Sequence, residues 1–93
     1  SERIINARNI ARARFNDNKK NADMNVRDLE KYAYIKPEIR KVLDTSAERL
    51  QLSPRAYHRV IKLARTIADL ENEQDILEKH ILEALQYRPK VVY

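Results

Sequence analysis

Glycine and cysteine are both absent from this chain of 93 residues, and proline occurs only three times. Without glycine, the chain cannot form a Gly-rich phosphate loop, a dinucleotide-binding fingerprint or a glycine-based hairpin turn. Without cysteine, it has no disulfide framework, no thiolate zinc site and no catalytic thiol. A chain of this length predicts a single domain, residues 1–93, with one thin hydrophobic core and no deep, enclosed active site.

Aromatic residues and long apolar runs are also scarce. Aromatics make up 6% of the residues and charged residues 35%, a balance typical of a helical, well-solvated surface. No apolar run approaches the roughly 20 residues of a membrane span, and nothing resembles a signal peptide. We therefore expect a cytoplasmic protein without a membrane partner. The start without Met, inside a helix-like pattern, suggests a piece of a longer chain.

The net charge of +5 is unevenly distributed along the chain. Residues 1–20 carry +4 and residues 53–70 carry +3, whereas residues 21–52 are neutral and residues 71–93 carry −2. Two basic segments favour an anionic partner, although many solvated helix faces have a similar charge.

Apolar residues recur at helical spacing near the N-terminus and predict a helix over residues 2–16. They are Ile4, Ala7, Ala11 and Phe15. The polar residues that follow favour a loop over residues 17–25. Asn25 then predicts the N-cap of a short helix that ends at Tyr32, with Val26 and Leu29 facing inward.

Two prolines predict the starts of the next two helices, because proline is favoured in the first helical turn. One helix runs from Pro37 to Leu52. The next begins with Ser53 as a capping hydroxyl before Pro54 and ends near Asn72.

A last helix is predicted over residues 76–87 and stops before Pro89. Its inward residues are expected to be Leu77, Ile81, Ala84 and Leu85. Since no strand-like alternation appears, the fold class is all-α: a small four-helix bundle with a short extra helix. The expected core consists of Leu43, Leu50, Val60, Ala64, Ile67, Ile81 and Leu85.

Several polar side chains have a structural rather than a chemical interpretation. His80 and Glu83 share a helix face, but two ligands make a poor metal site, so we expect no bound metal. His58 and His80 are interpreted as ordinary surface histidines. Arg65 and Asp69, four residues apart, are expected to form a local pair worth a few tenths of a kcal/mol.

Three cations share one face of the helix that begins after Ser53: Arg55, Arg59 and Lys62. Arg55 lies in the first turn, where the helix dipole disfavours a positive charge. A cation beside free backbone N–H groups is well placed for a phosphate. Ordinary surface arginine is the alternative, and physical chemistry alone leaves both open.

A longer set of motifs resembles the C-terminal domain of magnesium-chelatase-like AAA+ ATPases of the ComM/YifB type. The most specific is Ala64-Arg65-Thr66-Ile67-Ala68-Asp69-Leu70, which follows Leu52-Ser53-Pro54-Arg55-Ala56. Supporting matches are Ala7-Arg8, Asn21-Ala22, the segment from His80 to Ala84, and Tyr87-Arg88. The resemblance therefore covers nearly the whole chain.

The resemblance implies an AAA+ lid, a helical domain behind a nucleotide-binding core that this chain does not contain. Arg55 then matches the sensor-2 arginine, the candidate catalytic residue, with Ser53 and Arg59 as accessory nucleotide-binding residues. The isolated domain is expected not to be an enzyme and to hold no cofactor. ATP and Mg²⁺ are implied for the parent ATPase, a homo-hexamer associated with DNA branch migration. Its upstream core and neighbouring subunits are the implied partners, and Arg55 acts in cis or in trans.

Two alternatives remain open at this point. One is a stand-alone nucleic-acid-binding module, in which basic residues bind phosphates. In that module Arg8, Arg12, Arg14, Lys19 and Lys20 bind the phosphates, and the helix capped by Ser53 enters a groove of the nucleic acid. Lys62 is a further candidate contact to DNA or phosphate. The other is a structural domain whose basic stripe meets an acidic partner surface.

Overall fold

The structure is a computed structural model that describes residues 4–5 and 20–87. A 3₁₀ turn, Asn21–Asp23, precedes four helices: α1 (Val26–Tyr32), α2 (Pro37–Arg49), α3 (Pro54–Leu70) and α4 (Glu78–Gln86). The described ranges contain no strand, so the predicted all-α class is confirmed. Of the predicted helix over residues 2–16, Ile4 and Ile5 are helical and exposed, and the other residues lie outside the described ranges.

The start of α1 follows the sequence prediction. The Asp28 N–H donates to Asn25 Oδ1 at 2.8 Å, and the Asn25 N–H donates to the Asp28 carboxylate at 3.1 Å. This reciprocal pair is a capping box. Leu29 is buried as expected, but the inward prediction for Val26 is wrong, since its side chain is 53% exposed.

The segment predicted as a loop over residues 17–25 is more ordered, where described, than its polar composition suggests. Residues 17–19 lie outside the described ranges, and the 3₁₀ turn follows. Asn21 and Met24 are both buried. This segment therefore packs into the domain, because the Asn21 side chain bonds to Thr66 and Asp69 of α3.

The C-termini of α2 and α3 explain how a glycine-free chain ends its helices. Gln51 and Asn72 adopt positive φ angles of 54° and 57°, a conformation that glycine usually supplies. The Leu52 N–H bonds to the Ala47 carbonyl at 3.0 Å, and the Glu73 N–H bonds to the Ala68 carbonyl at 2.8 Å. Each end is a Schellman motif. Gln51 therefore ends α2 earlier than the predicted Leu52.

Helix α4 begins later than the predicted residue 76. Leu77 has extended backbone angles and forms the N-cap, so the helix starts at Glu78. Ile76 precedes the cap and is nevertheless buried in the core. The cap depends on a side chain within α4, that of His80, which accepts a hydrogen bond from the Leu77 N–H.

Helix α3 is the centre of the packing, with α4, α1 and the 3₁₀ turn against it, and α2 packs against α4. Of the expected core residues only Leu50 is half-buried, although it still contacts the core. The buried apolar residues are Met24, Leu29, Ala33, Ile35, Leu43, Val60, Ile61, Ala64, Ile67, Ala68, Ile76, Ile81, Ala84 and Leu85. Within residues 4–5 and 20–87, no helix has the length and apolar character needed to cross a membrane.

Candidate functional site

The N-terminal end of α3 carries the candidate anion-binding residues. Ser53 is in extended conformation, and its Oγ accepts a hydrogen bond from the Ala56 N–H at 3.1 Å. This confirms the predicted cap. The Ser53 hydroxyl oxygen therefore already accepts a hydrogen bond within the domain. The first turn of α3 contains no acidic residue, so its positive dipole end has no anionic side chain of its own.

Arg55 and Arg59 are both exposed on α3. Neither makes a hydrogen bond or an ion pair with any described residue. Lys62, the third cation of the face, is half-buried, and its Nζ donates to the carbonyl of Ala22 in the 3₁₀ turn at 3.3 Å. The predicted face therefore contains two solvent-facing guanidinium groups and one ammonium that also fastens the 3₁₀ turn.

A tyrosine fixes this end of α3 against α2. The Tyr57 hydroxyl donates to the Asp44 carboxylate and accepts a hydrogen bond from Arg40 Nη1 at 3.0 Å. Burial, reinforced by the bond to Asp44, raises the pKa of Tyr57 above its ordinary value of 10.0. The neutral phenol bridges both charged groups, so the backbone beside Arg55 is held in place.

The C-terminal end of α3 contains a third arginine in a different environment. The side chains of Arg65 and Asp69 are only 5% and 2% exposed, and Arg65 Nη2 lies 3.1 Å from Asp69 Oδ1. Arg65 also donates to the carbonyls of Gln74 at 2.8 Å and Glu73 at 2.7 Å. The expected local pair between Arg65 and Asp69 is confirmed, but it is buried, and Arg65 also bonds to the loop that follows α3.

Asn21 completes this buried network from a distant part of the chain. Its Nδ2 donates to Asp69 Oδ2 at 2.8 Å and to Thr66 Oγ1 at 3.2 Å. The Thr66 hydroxyl in turn donates to the Lys62 carbonyl at 3.1 Å. Two motifs that carried the family resemblance, one around Asn21 and one from Ala64 to Leu70, therefore meet in one structural network.

His80 is fully buried, so its interpretation as a surface histidine is wrong. The Leu77 N–H donates to His80 Nδ1 at 2.9 Å, which assigns the ring proton to Nε2. Nε2 donates to Glu71 Oε1 at 3.0 Å. Together with an ion pair to Lys79 at 3.0 Å, this bond lowers the pKa of Glu71 below its ordinary value. The histidine sits three positions after the cap, where a capping-box side chain acts, and that spacing is the sequence signal that was missed.

No group of three or more His, Cys, Asp or Glu side chains is positioned to hold a metal ion within residues 4–5 and 20–87. Glu83, which was considered with His80, is exposed on α4. His58 is half-buried, and its ring contacts Tyr57 edge-on at 5.9 Å between centroids. Among the predicted phosphate contacts Lys20 is exposed, and Arg8, Arg12, Arg14 and Lys19 lie outside the described ranges.

Comparison with known proteins agrees with the motifs. The family model described as "Magnesium chelatase, subunit ChlI C-terminal" matches residues 1–88. The chain belongs to this family. Competence protein ComM of Haemophilus influenzae is 39% identical over 90 residues, which cover 97% of this chain and 17% of the relative. Protein YifB of Salmonella typhimurium is 39% identical over 70 residues, which cover 75% of this chain and 14% of the relative.

These relatives define a C-terminal domain of the ComM/YifB type. The YifB protein of Escherichia coli is 35% identical over 71 residues and agrees with this assignment. The chain spans 14–17% of the length of these relatives. The family resemblance carried by the sequence motifs is thus confirmed.

Proposed function

We propose that this chain is the helical lid of a ComM/YifB-type AAA+ ATPase and that Arg55 is its sensor-2 arginine. The guanidinium group of Arg55 contacts the terminal phosphates of ATP and stabilises the charge that develops during phosphoryl transfer. The observation that supports the proposal is the environment of the Arg55 side chain. Arg55 is exposed, has no partner among the described residues and lies in a first turn without an acidic side chain.

The local structure supports an anion at this position. Ser53 caps the helix and Tyr57 anchors it to α2, so Arg55 projects from backbone that is already ordered. Because the helix end is already ordered, binding an anion here has to order only the Arg55 side chain and not the backbone. Arg59 follows one helical turn later and is also exposed, so it acts as an accessory contact for the phosphates. Ser53 contributes through the helix end it caps.

The parent protein supplies the remaining machinery under this proposal. The upstream AAA+ core holds ATP and Mg²⁺, and subunits assemble into a cytoplasmic homo-hexamer that acts on DNA in branch migration. Support comes from the family assignment and from the relative whose name is "Competence protein ComM". The isolated lid binds no cofactor of its own and hydrolyses no ATP.

The test is steady-state ATP turnover by the full-length protein with Arg55→Ala. We expect kcat to fall on the order of 10³-fold, as for other arginines that stabilise the phosphoryl transition state. Arg27→Ala is the matched control, because Arg27 is also an exposed arginine at the second position of a capped helix. The control is expected to retain normal turnover. Normal turnover in Arg55→Ala, with the hexamer intact, would refute the proposal.

A further inference from the structure

An open groove lies beside the cationic face of α3. The 3₁₀ turn, α3 and the C-terminal end of α4 form its walls, and its volume is about 260 Å³. The described residues that line it are Ala22, Ala56, Arg59, Val60, Lys62, Leu63, Thr66, Ala84 and Tyr87. Arg55 is not among them, whereas Arg59, the proposed accessory phosphate contact, is, so the groove adjoins the proposed nucleotide contact without including Arg55.

The floor of the groove is apolar because small side chains cover the core there. Val60 and Ala84 are buried at its base, and Ala22 and Ala56 leave room above them. Methyl groups of this kind offer no hydrogen-bond partner to a phosphate or a base edge. They fit a large apolar side chain that enters the groove from outside.

The charge around the groove has a single sign among the described residues. Arg59 and Lys62 are its two charged side chains, and both are cations. Lys62 uses one N–H toward the Ala22 carbonyl, which leaves further donors on the same ammonium group. Tyr87 is 67% exposed at the edge of the groove, where an aromatic ring with a hydroxyl suits a protein interface.

We propose that this groove docks an acidic amphipathic helix of a protein partner. Apolar residues on one face of the partner helix enter the groove, and carboxylates beside them pair with Arg59 and Lys62. Charge complementarity selects this occupant. Residues 1–20 of the chain itself carry +4, so they bring no net negative charge to Arg59 and Lys62. Nucleic acid has the right charge, but it has no large apolar side chain to fill the apolar floor of the groove.

The experiment uses a synthetic peptide of about four helical turns, with Leu on one face and Glu on the remaining positions. Fluorescence anisotropy measures its binding to the 93-residue chain. We expect saturable binding that Arg59→Glu/Lys62→Glu weakens at least about tenfold. Arg27→Glu/Lys41→Glu changes the net charge equally at exposed positions away from the groove, and this variant is expected to retain binding.

A second variant separates the groove from simple charge attraction. Ala22→Leu fills the groove from an exposed position without disturbing buried residues, so we expect it to weaken peptide binding while helix content stays unchanged. Equal loss in the control variant, or full binding by Ala22→Leu, would overturn the proposal. Tighter binding of a single-stranded oligonucleotide in competition with the peptide, or self-association of the chain through this face, would also overturn it. Arg55→Ala should leave peptide binding intact, so this test is independent of the proposed function.

Discussion

The arginine side chains at the two ends of α3 lie in opposite environments. At the N-terminal end, Arg55 and Arg59 are exposed and have no partner among the described residues. At the C-terminal end, Arg65 is buried and bonds to Asp69 and to two loop carbonyls. The difference teaches that charge in the sequence does not report function. The buried arginine stabilises the fold, and the exposed arginines are available to ligands and partners.

The largest expected effect is at the buried end. Arg65→Ala removes the cation from its buried pair with Asp69 and removes the donors that Arg65 supplies to the carbonyls of Gln74 and Glu73. We expect a loss of about 3–5 kcal/mol in the free energy of unfolding, measured by urea denaturation. Arg65→Lys keeps the positive charge but loses the planar set of guanidinium N–H donors. It replaces Arg65→Ala in the measurement if the alanine variant does not fold. A loss below about 1 kcal/mol, typical of an exposed pair, would remove the distinction between the two ends.

The two histidines sharpen the comparison. His80→Ala leaves a cavity and an uncapped Leu77 N–H, so we expect about 3 kcal/mol of destabilisation. His58 is half-buried on α3, and its ring makes no hydrogen bond with a described residue, so His58→Ala should change stability by about 0.5 kcal/mol or less. Thermal denaturation of both variants compares the two losses of stability. Equal effects would mean that the cap of α4 does not depend on His80.

The cap of α3 is a smaller contribution at the exposed end. Ser53→Ala removes the acceptor for the Ala56 N–H and should destabilise the chain by about 1 kcal/mol. Arg59→Ala should cost much less, because Arg59 is exposed. Urea denaturation of the two variants side by side makes the measurement. If both lose the same stability, the hydroxyl cap is not what holds this helix end.

A pH dependence is expected from the group that links α3 to α4. Hydrogen bonds from His80 and Lys79 lower the pKa of Glu71 below its ordinary 4.5. A lowered folded pKa means that this stabilisation is fully present above about pH 4.5 and is lost as the pH falls through the folded pKa. The urea midpoint of Glu71→Gln should therefore lie below that of the wild type at pH 7 and approach it at acid pH. A gap that stays constant with pH would contradict this assignment.

Local features of the fold were predictable from the sequence, whereas distant ones were not. Asn25 and Ser53 cap their helices through neighbours three residues away, and such contacts are encoded in short motifs. The burial of Arg65 depends on a loop after α3, and Asn21 reaches Asp69 across 48 positions. No spacing rule contains that information. Val26 fits an apolar stripe but is exposed, since periodicity does not say which face packs.

In the candidate site, too, local features were predictable from the sequence and contacts between distant residues were not. The exposed face of Arg55 and Arg59 follows from helical spacing, and the structure agrees with it. The contact between Lys62 and the 3₁₀ turn, and the groove beside it, require three separate elements to come together. Neither could be read from α3 alone.

Arg55 is expected to be dispensable for folding because it serves a ligand, and the stability of Arg55→Ala tests this most directly. Its first-turn position opposes the helix dipole by a few tenths of a kcal/mol. The melting temperature of the 93-residue chain should therefore stay unchanged or rise slightly, as measured beside wild type and the matched Arg27→Ala variant. A fall of about 4 °C or more, equivalent to roughly 1 kcal/mol in a domain of this size, would make Arg55 a structural residue and contradict the account.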